Sequence, residues 1–173
     1  MAQMVITAVG PDRPGLVGEF SGQLYNAQLN VADSRMVNLR GQFALIMLVE
    51  AQADALAKVR KELPGAADRM GLAVSFADHH APVAGTPGLP FRLKTYSLDQ
   101  PGIVHRVSAL LQKHGVNIED LQTRQESAAF MGGTVFTLEA RISVPARVLV
   151  RELRTELDEL CAQLNCDLDL EPA

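Results

Sequence analysis

Two cysteines are all this 173-residue sequence holds, Cys161 and Cys166, and their spacing matches neither a CxxC pair nor a zinc-ligand pattern. A disulfide scaffold and a thiolate metal site are therefore not expected, and two small half-buried thiols fit a reducing cytoplasm. No apolar run approaches the roughly 20 residues that a membrane-spanning helix needs. Met1 to Ile6 enters apolar sequence with no basic n-region and no small-residue cleavage site, so it reads as a first strand and not as a signal peptide. Basic charge is not in excess either. Sixteen Lys and Arg stand against twenty Asp and Glu, a net charge of −4, with the two signs interspersed. A protein that grips duplex DNA clusters its Lys and Arg to displace counterions, so direct nucleic-acid binding is not expected.

Catalytic motifs are missing as well. No serine lies in a Gly-x-Ser-x-Gly elbow, and neither a P-loop nor an HExxH occurs. Gly10 and Gly15 fall at strand-to-helix positions without completing Gly-x-Gly-x-x-Gly, which removes the dinucleotide reading. His79 and His80 follow Asp78 in a Pro/Gly-rich stretch without regularly spaced partners, and read as solvated residues rather than metal ligands. His105 and His114 read as surface or capping residues. The expectation is no catalytic residue, no cofactor and no metal.

What is present is a core-forming composition, 47% apolar, and a repeat. Asp12-Arg13-Pro14-Gly15-Leu16-Val17 recurs as Asp99-Gln100-Pro101-Gly102-Ile103-Val104, an offset from 12 to 99 of 87 residues. The same offset carries Ser21 onto Ser108, Leu24 onto Leu111, Asn30 onto Asn117, Val31 onto Ile118 and Asp33 onto Asp120. One offset held through a loop, a helix and the next strand marks a duplication.

Each copy parses alike. In the first, Met4 to Val9 is a strand, and Asp-x-Pro-Gly starts a helix with Leu16, Val17, Phe20, Leu24 and Ala27 on one face. Pro14 suits a first helical turn, and Asp12 can cap its free N–H groups. Asn30 to Leu39 and Phe43 to Glu50 are strands, Asp54 to about Arg69 a helix, and Leu72, Val74 and Phe76 alternate as a fourth strand. The second copy runs Phe91 to Leu98, helix Gly102 to His114, Val116 to Gln125, then a longer connection holding Gly132-Gly133. Strand Thr134 to Ile142 follows, then a helix after Pro145 with Leu149, Leu153, Leu157, Leu160 and Leu164 on one stripe, then Cys166, Leu168 and Leu170 alternating. The stretch 79–90 holds three prolines and two glycines, a linker signature. The fold expected is α+β: two tandem ferredoxin-like βαββαβ domains, 1–78 and 91–173, joined by that linker, each an antiparallel sheet with helices on one face. The strand Phe43 to Val49 is apolar at both parities, whereas a half-solvated strand alternates. Ile46 and Leu48 thus point to a covered open face, and to self-association.

The chemistry left concerns the turn. Asp-x-Pro-Gly sets the unpaired N–H groups of a helix N-terminus where an anion docks, and glycine admits close approach. Asn30 is a donor and acceptor expected near the same end of the sheet. A carboxylate on the N–H groups, with an ammonium on Asp12 or Asn30, would read a free amino acid. The competing account is that Asp12 only caps, Gly15 only packs and Asn30 only turns, and repetition of these features suits both accounts. If the sites are real, leucine at Gly15 or Gly102 is expected to abolish binding while leaving the fold largely intact.

Strand, Asp-x-Pro-Gly-(Leu/Ile)-Val, amphipathic helix and Asn-(Val/Ile) together resemble the ACT domain, a small-molecule sensor of amino-acid metabolism. Asn30-Val31-Ala32-Asp33-Ser34-Arg35-Met36, followed by Phe43 to Val49, is similar to the first domain of the glycine cleavage system transcriptional repressor family. Gly133 to Ala140, Val144-Pro145 and Leu164 to Leu168 are similar to its second. The resemblance implies a cytoplasmic regulator without a DNA-binding domain. It would restrain a LysR-type activator by protein contact, in response to a small amino acid such as glycine or serine. It also implies a ligand between paired domains, touching Asp12, Pro14, Gly15 and Leu16 with Asn30 and Val31, and Asp99, Pro101, Gly102 and Ile103 with Asn117 and Ile118. Some members carry Asn where this chain has Asp12 and Asp99, and His where it has Gly10 and Ser97. The alternative is a detached allosteric subunit of an amino-acid metabolic enzyme.

Overall fold

A computed structural model describes residues 1–80, 88–128 and 133–173. The chain divides into two compact units, Met1–Pro82 and Val83–Ala173. The first is β1 (Ala2–Pro11), α1 (Leu16–Asn26), β2 (Asn30–Leu39), β3 (Gln42–Ala51), α2 (Ala53–Arg69) and β4 (Ala73–Asp78). The second is β5 (Leu89–Leu98), α3 (Ile103–Lys113), β6 (Asn117–Ala128), β7 (Gly133–Val144), α4 (Val150–Leu164) and β8 (Cys166–Pro172). Each is a ferredoxin-like βαββαβ unit with one four-stranded antiparallel sheet, ordered β2-β3-β1-β4 and β6-β7-β5-β8. The expected Gly132 lies outside the described residues. β5 begins at Leu89, inside the stretch expected as linker, because Leu89 and Pro90 pair in register with Val144 and Ser143.

The helices form because one stripe of each is apolar and buried on the sheet. Leu16, Phe20 and Leu24 of α1 recur as Ile103, Val107 and Leu111 of α3, all at most 2% exposed. Val17, expected on that stripe, is 48% exposed, one position round the helix. α2 runs through Pro64 and Gly65, since Leu56, Val59, Leu63, Ala66 and Ala67 stay buried on either side. On α4 the stripe is Leu153, Leu157, Cys161 and Leu164; Leu149 precedes the helix and is exposed, and Leu160 is only partly buried. The helix stripes pack on Met4, Ile6, Ala8, Phe43, Leu45, Met47 and Val49 in one unit. In the other they pack on Phe91, Leu93, Leu138, Ala140 and Ile142.

The two open sheet faces differ. On the first, Val9, Val37, Leu39 and Ile46 are exposed beside partly buried Val5, Ala44 and Leu48, with Thr7, Ser75 and the Asp33–Arg35 ion pair on the same face. On the second, the register sets Arg92 between Arg141 and Glu171, and Lys94 between Glu139 and Asp169. Lys94 Nζ lies 2.7 Å from Glu139 Oε1 and 4.8 Å from the ring centre of Tyr96.

Candidate functional site

Both strand-to-helix turns end on a glycine in the left-handed region, Gly15 at φ 91° and Gly102 at φ 96°. Glycine adopts that conformation freely, and an L side chain there costs about 1–2 kcal/mol. Leucine at either position would therefore strain the turn as well as crowd it, a cost that the expectation of a largely intact fold left out. The helices start one residue later, at Leu16 and Ile103, with no side-chain cap. Pro14 thus lies ahead of the helix, and Asp12 does not cap it.

Asp12 instead faces the β2–β3 hairpin. Its N–H donates to Gly41 O at 2.9 Å, its carboxylate accepts from the Asn38 side-chain amide, and Asn38 Oδ1 accepts from Gly41 N at 3.0 Å. The second copy repeats the clasp: Asp99 N–H donates to Thr134 O at 2.9 Å, and Gln125 Nε2 donates to Asp99 Oδ2 at 2.8 Å. Gln125 stands 87 residues after Asn38, the offset of the repeat. Each aspartate so ties its turn to the hairpin end, while the first-turn N–H groups of α1 and α3 have no carbonyl of their own helix to meet. The side chains of Leu16 and Ile103 are buried, so these residues can offer a ligand only backbone N–H groups.

Asn30 and Asn117 stand elsewhere. Asn30 pairs with Glu50, which pairs with Gln3 at the start of β1, whereas the turn follows Pro11 at its end. The eight residues from Gln3 to Pro11, at about 3.3 Å each, separate the two by about 26 Å. Asn117 pairs with Ser143, itself opposite Pro90 at the start of β5. The expectation that Asn30 shares an end of the sheet with Asp12 is therefore overturned. β2 runs parallel to β1 with β3 between them, so its start lies beside the start of β1. Asn117 Nδ2 donates to Glu119 Oε1 at 2.7 Å; Val31 is exposed and Ile118 packs against the core.

Around otherwise matching turns the charges differ. Arg13 donates to both oxygens of Glu19, at 2.6 and 2.7 Å, and these bonds hold the Glu19 carboxyl below the usual carboxylate range. Glu19 Oε1 lies 3.4 Å from where a Cβ on Gly15 would stand. The corresponding residues of the second copy are Gln100 and Arg106. Gln100 Nε2 donates to Leu164 O at 2.5 Å, Arg106 Nη2 donates to Gln163 Oε1 at 2.6 Å, and nothing lies within 4 Å of a Cβ on Gly102. Beneath the first turn, a Cβ on Gly10 would come 2.2 Å from Gly71 O. The matching Ser97 is 8% exposed, and its hydroxyl has no hydrogen-bond partner among the described residues. Arg13, Glu19 and Arg106 were legible only by comparing the two copies position by position.

Among the described residues no group of three His, Cys, Asp or Glu could hold a metal ion, and no helix is long and apolar enough to cross a membrane. Asp78 is engaged by Arg60. Glu156 bonds Lys113 Nζ at 2.6 Å, which lowers its carboxyl pKa, and lies 3.2 Å from His114 Nε2. Burial first, and the Cys166 hydrogen bond second, push the Cys161 thiol up to about 12, so it stays protonated at neutral pH.

Comparison with known proteins places these units. ACT-domain models match residues 2–77 and residues 91–157. The glycine cleavage system transcriptional repressor of Escherichia coli (strain K12) is 26% identical over 164 residues, 94% of this chain and 85% of that protein. A UPF0237 protein of Methanopyrus kandleri is 38% identical over 76 residues, 43% of this chain and 84% of its own length. Among solved structures, an unknown protein of Galdieria sulphuraria superposes with a TM-score of 0.83 at 34% identity, over 99% of this chain and 98% of that one. A candidate glycine cleavage system transcriptional repressor superposes at 0.75 and 22% identity, over 98% and 96%, and shares the fold.

Proposed function

We propose that this chain, which belongs to the ACT-domain family through both of its units, is an amino-acid-responsive regulatory protein and not an enzyme. The observation that carries the reading is the strand-to-helix turn. It leaves first-turn N–H groups open to a carboxylate beside a glycine that admits it, at an end of the sheet clasped by aspartate. Similarity to a glycine cleavage system transcriptional repressor over 94% of the chain supports a role in repression; glycine as the ligand, serine next, and contact with a LysR-type activator rather than with DNA complete the proposal. Two free cysteines fit a cytoplasmic setting.

One unit brings the Asp12 or Asp99 carboxylate to the turn for the ligand's ammonium but not an asparagine amide, since Asn30 and Asn117 lie at the far end of their sheets. Antiparallel edge pairing with a neighbouring ACT unit supplies it. β2 is an edge strand exposed along its whole length. A second strand running against it carries its own leading asparagine to the Asp-x-Pro-Gly end. Asp12 to Leu16 with Val31 of a second copy, and Asp99 to Ile103 with Ile118 of a second copy, then line a shared cleft.

Self-association has a further surface in the apolar open face of the first unit. Four strands about 4.8 Å apart, with eight residues of about 3.3 Å each, give about 500 Å² per copy and about 1,000 Å² per pair, the scale of a specific contact. The matching face of the second unit is a charged ladder that would be costly to bury.

Mixing the purified chain with a LysR-type activator in analytical ultracentrifugation, with and without glycine, tests the regulatory reading. A complex whose affinity changes at least tenfold with glycine is expected. No complex in either state would contradict it and favour an enzyme's detached subunit.

A further inference from the structure

We infer that the duplicated turns have diverged, and that only the turn of the second unit, Asp99 to Ile103 with Arg106 and Ser97, receives the ligand carboxylate. The inference rests on the amino-acid-sensor reading above and says which half of the duplicated chain does the sensing.

The first turn already has a carboxylate beside it. Glu19, locked by two bonds from Arg13, lies against Gly15. An incoming carboxylate would meet a like charge there and would have to displace Glu19 to reach Arg13. No side chain can help from below either, because Gly71 O fills the space that a Cβ on Gly10 would need.

In the second unit each of these obstacles is reversed. Position 106 is a cation, and α3 has no acidic residue in its first turn. Glu19 Oε1, 3.4 Å from where a Cβ on Gly15 would stand, shows that a side chain at this helix position can reach the turn, whereas Arg106 without a ligand turns to Gln163. Arg106 holds only the neutral amide of Gln163, and no carboxylate among the described residues. A cation near a helix N-terminus opposes the helix dipole, and a bound anion turns that into a favourable contact with both. Arginine is also suited to grip a carboxylate by two hydrogen bonds.

Ser97 is independent of these charges. Phe91, Leu93, Thr95 and Ser97 are the buried, helix-facing residues of β5, and Ser97 is the last of them, two residues before Asp99. Its hydroxyl therefore faces the helix layer at the end where α3 begins, buried and, like that of Thr95 one step further in, without a hydrogen-bond partner among the described residues. A buried hydroxyl left unpaired is unfavourable, and a ligand oxygen at the turn would satisfy it.

Isothermal titration of the full chain with glycine, and with L-serine in parallel, tests the assignment. One amino acid per chain is expected. Arg106→Glu is expected to weaken binding at least tenfold, with Arg106→Lys restoring part of it. Ser97→Ala should weaken binding severalfold while raising the melting temperature of the ligand-free chain; a purely structural serine would change stability alone. Two amino acids per chain, or wild-type affinity in Arg106→Glu, would overturn the assignment and leave the sensor reading standing. A wild-type chain that binds neither amino acid would overturn both.

Discussion

Gly10 and Gly102 show how differently two glycines can matter. At Gly10 the obstacle is space: a methyl group would stand 2.2 Å from Gly71 O and 2.9 Å from Leu72 Cδ2, and the carbonyl is backbone that cannot swing aside. At Gly102 the space is empty and the obstacle is φ 96°. Gly10→Ala is therefore expected to cost about 3 kcal/mol, the range of an overpacked core, and Gly102→Ala about 1–2 kcal/mol, the left-handed penalty alone. Chemical denaturation of the two variants checks the order; equal losses would refute the close approach at Gly10. The sequence shows that both positions are glycine but not what each glycine is for. Gly71 is 61 residues from Gly10, and only the register of β4 beside β1 brings the α2–β4 turn against it.

At the scale of elements, helices and strands were legible because apolar spacing and the repeat agree at nearly every step. The two misreadings of the site share one physical origin, that sequence neighbours are not always spatial neighbours. Asn30 follows α1 closely, yet α1 runs back along the sheet, so β2 begins at the far end from the turn where α1 began. Asp12 looked like a cap because it precedes a helix, yet its partners are Asn38 and Gly41 on a hairpin further along the chain. The exposed apolar parity of β3 was visible in the sequence, and it sets a test on that element. Ile46, 48% exposed on the open face of the first unit, should be central to self-association. Ile46→Asp is expected to lower the mass seen by light scattering to that of the 18.7 kDa monomer, or to weaken association at least tenfold, with helicity unchanged. An unaltered oligomer would exclude this face as the contact.

For the whole molecule, duplication kept the fold and let the surfaces drift apart. One unit carries an apolar open face and a turn closed by Arg13 and Glu19; the other carries a charged open face and a turn flanked by Arg106. The candidate site could be read only as far as its turns. The half proposed to come from a neighbouring copy left no pattern within one unit. The central claim, that the chain senses a free amino acid, is tested most directly by thermal unfolding of the purified protein against the free amino acids. Because a ligand bound only to the folded state raises stability by mass action, a ligand at 100 times its Kd should add about 2.7 kcal/mol. The account predicts a selective rise in melting temperature with glycine or serine. No rise with any amino acid would contradict it, and would leave the Asp-x-Pro-Gly turns as purely structural clasps.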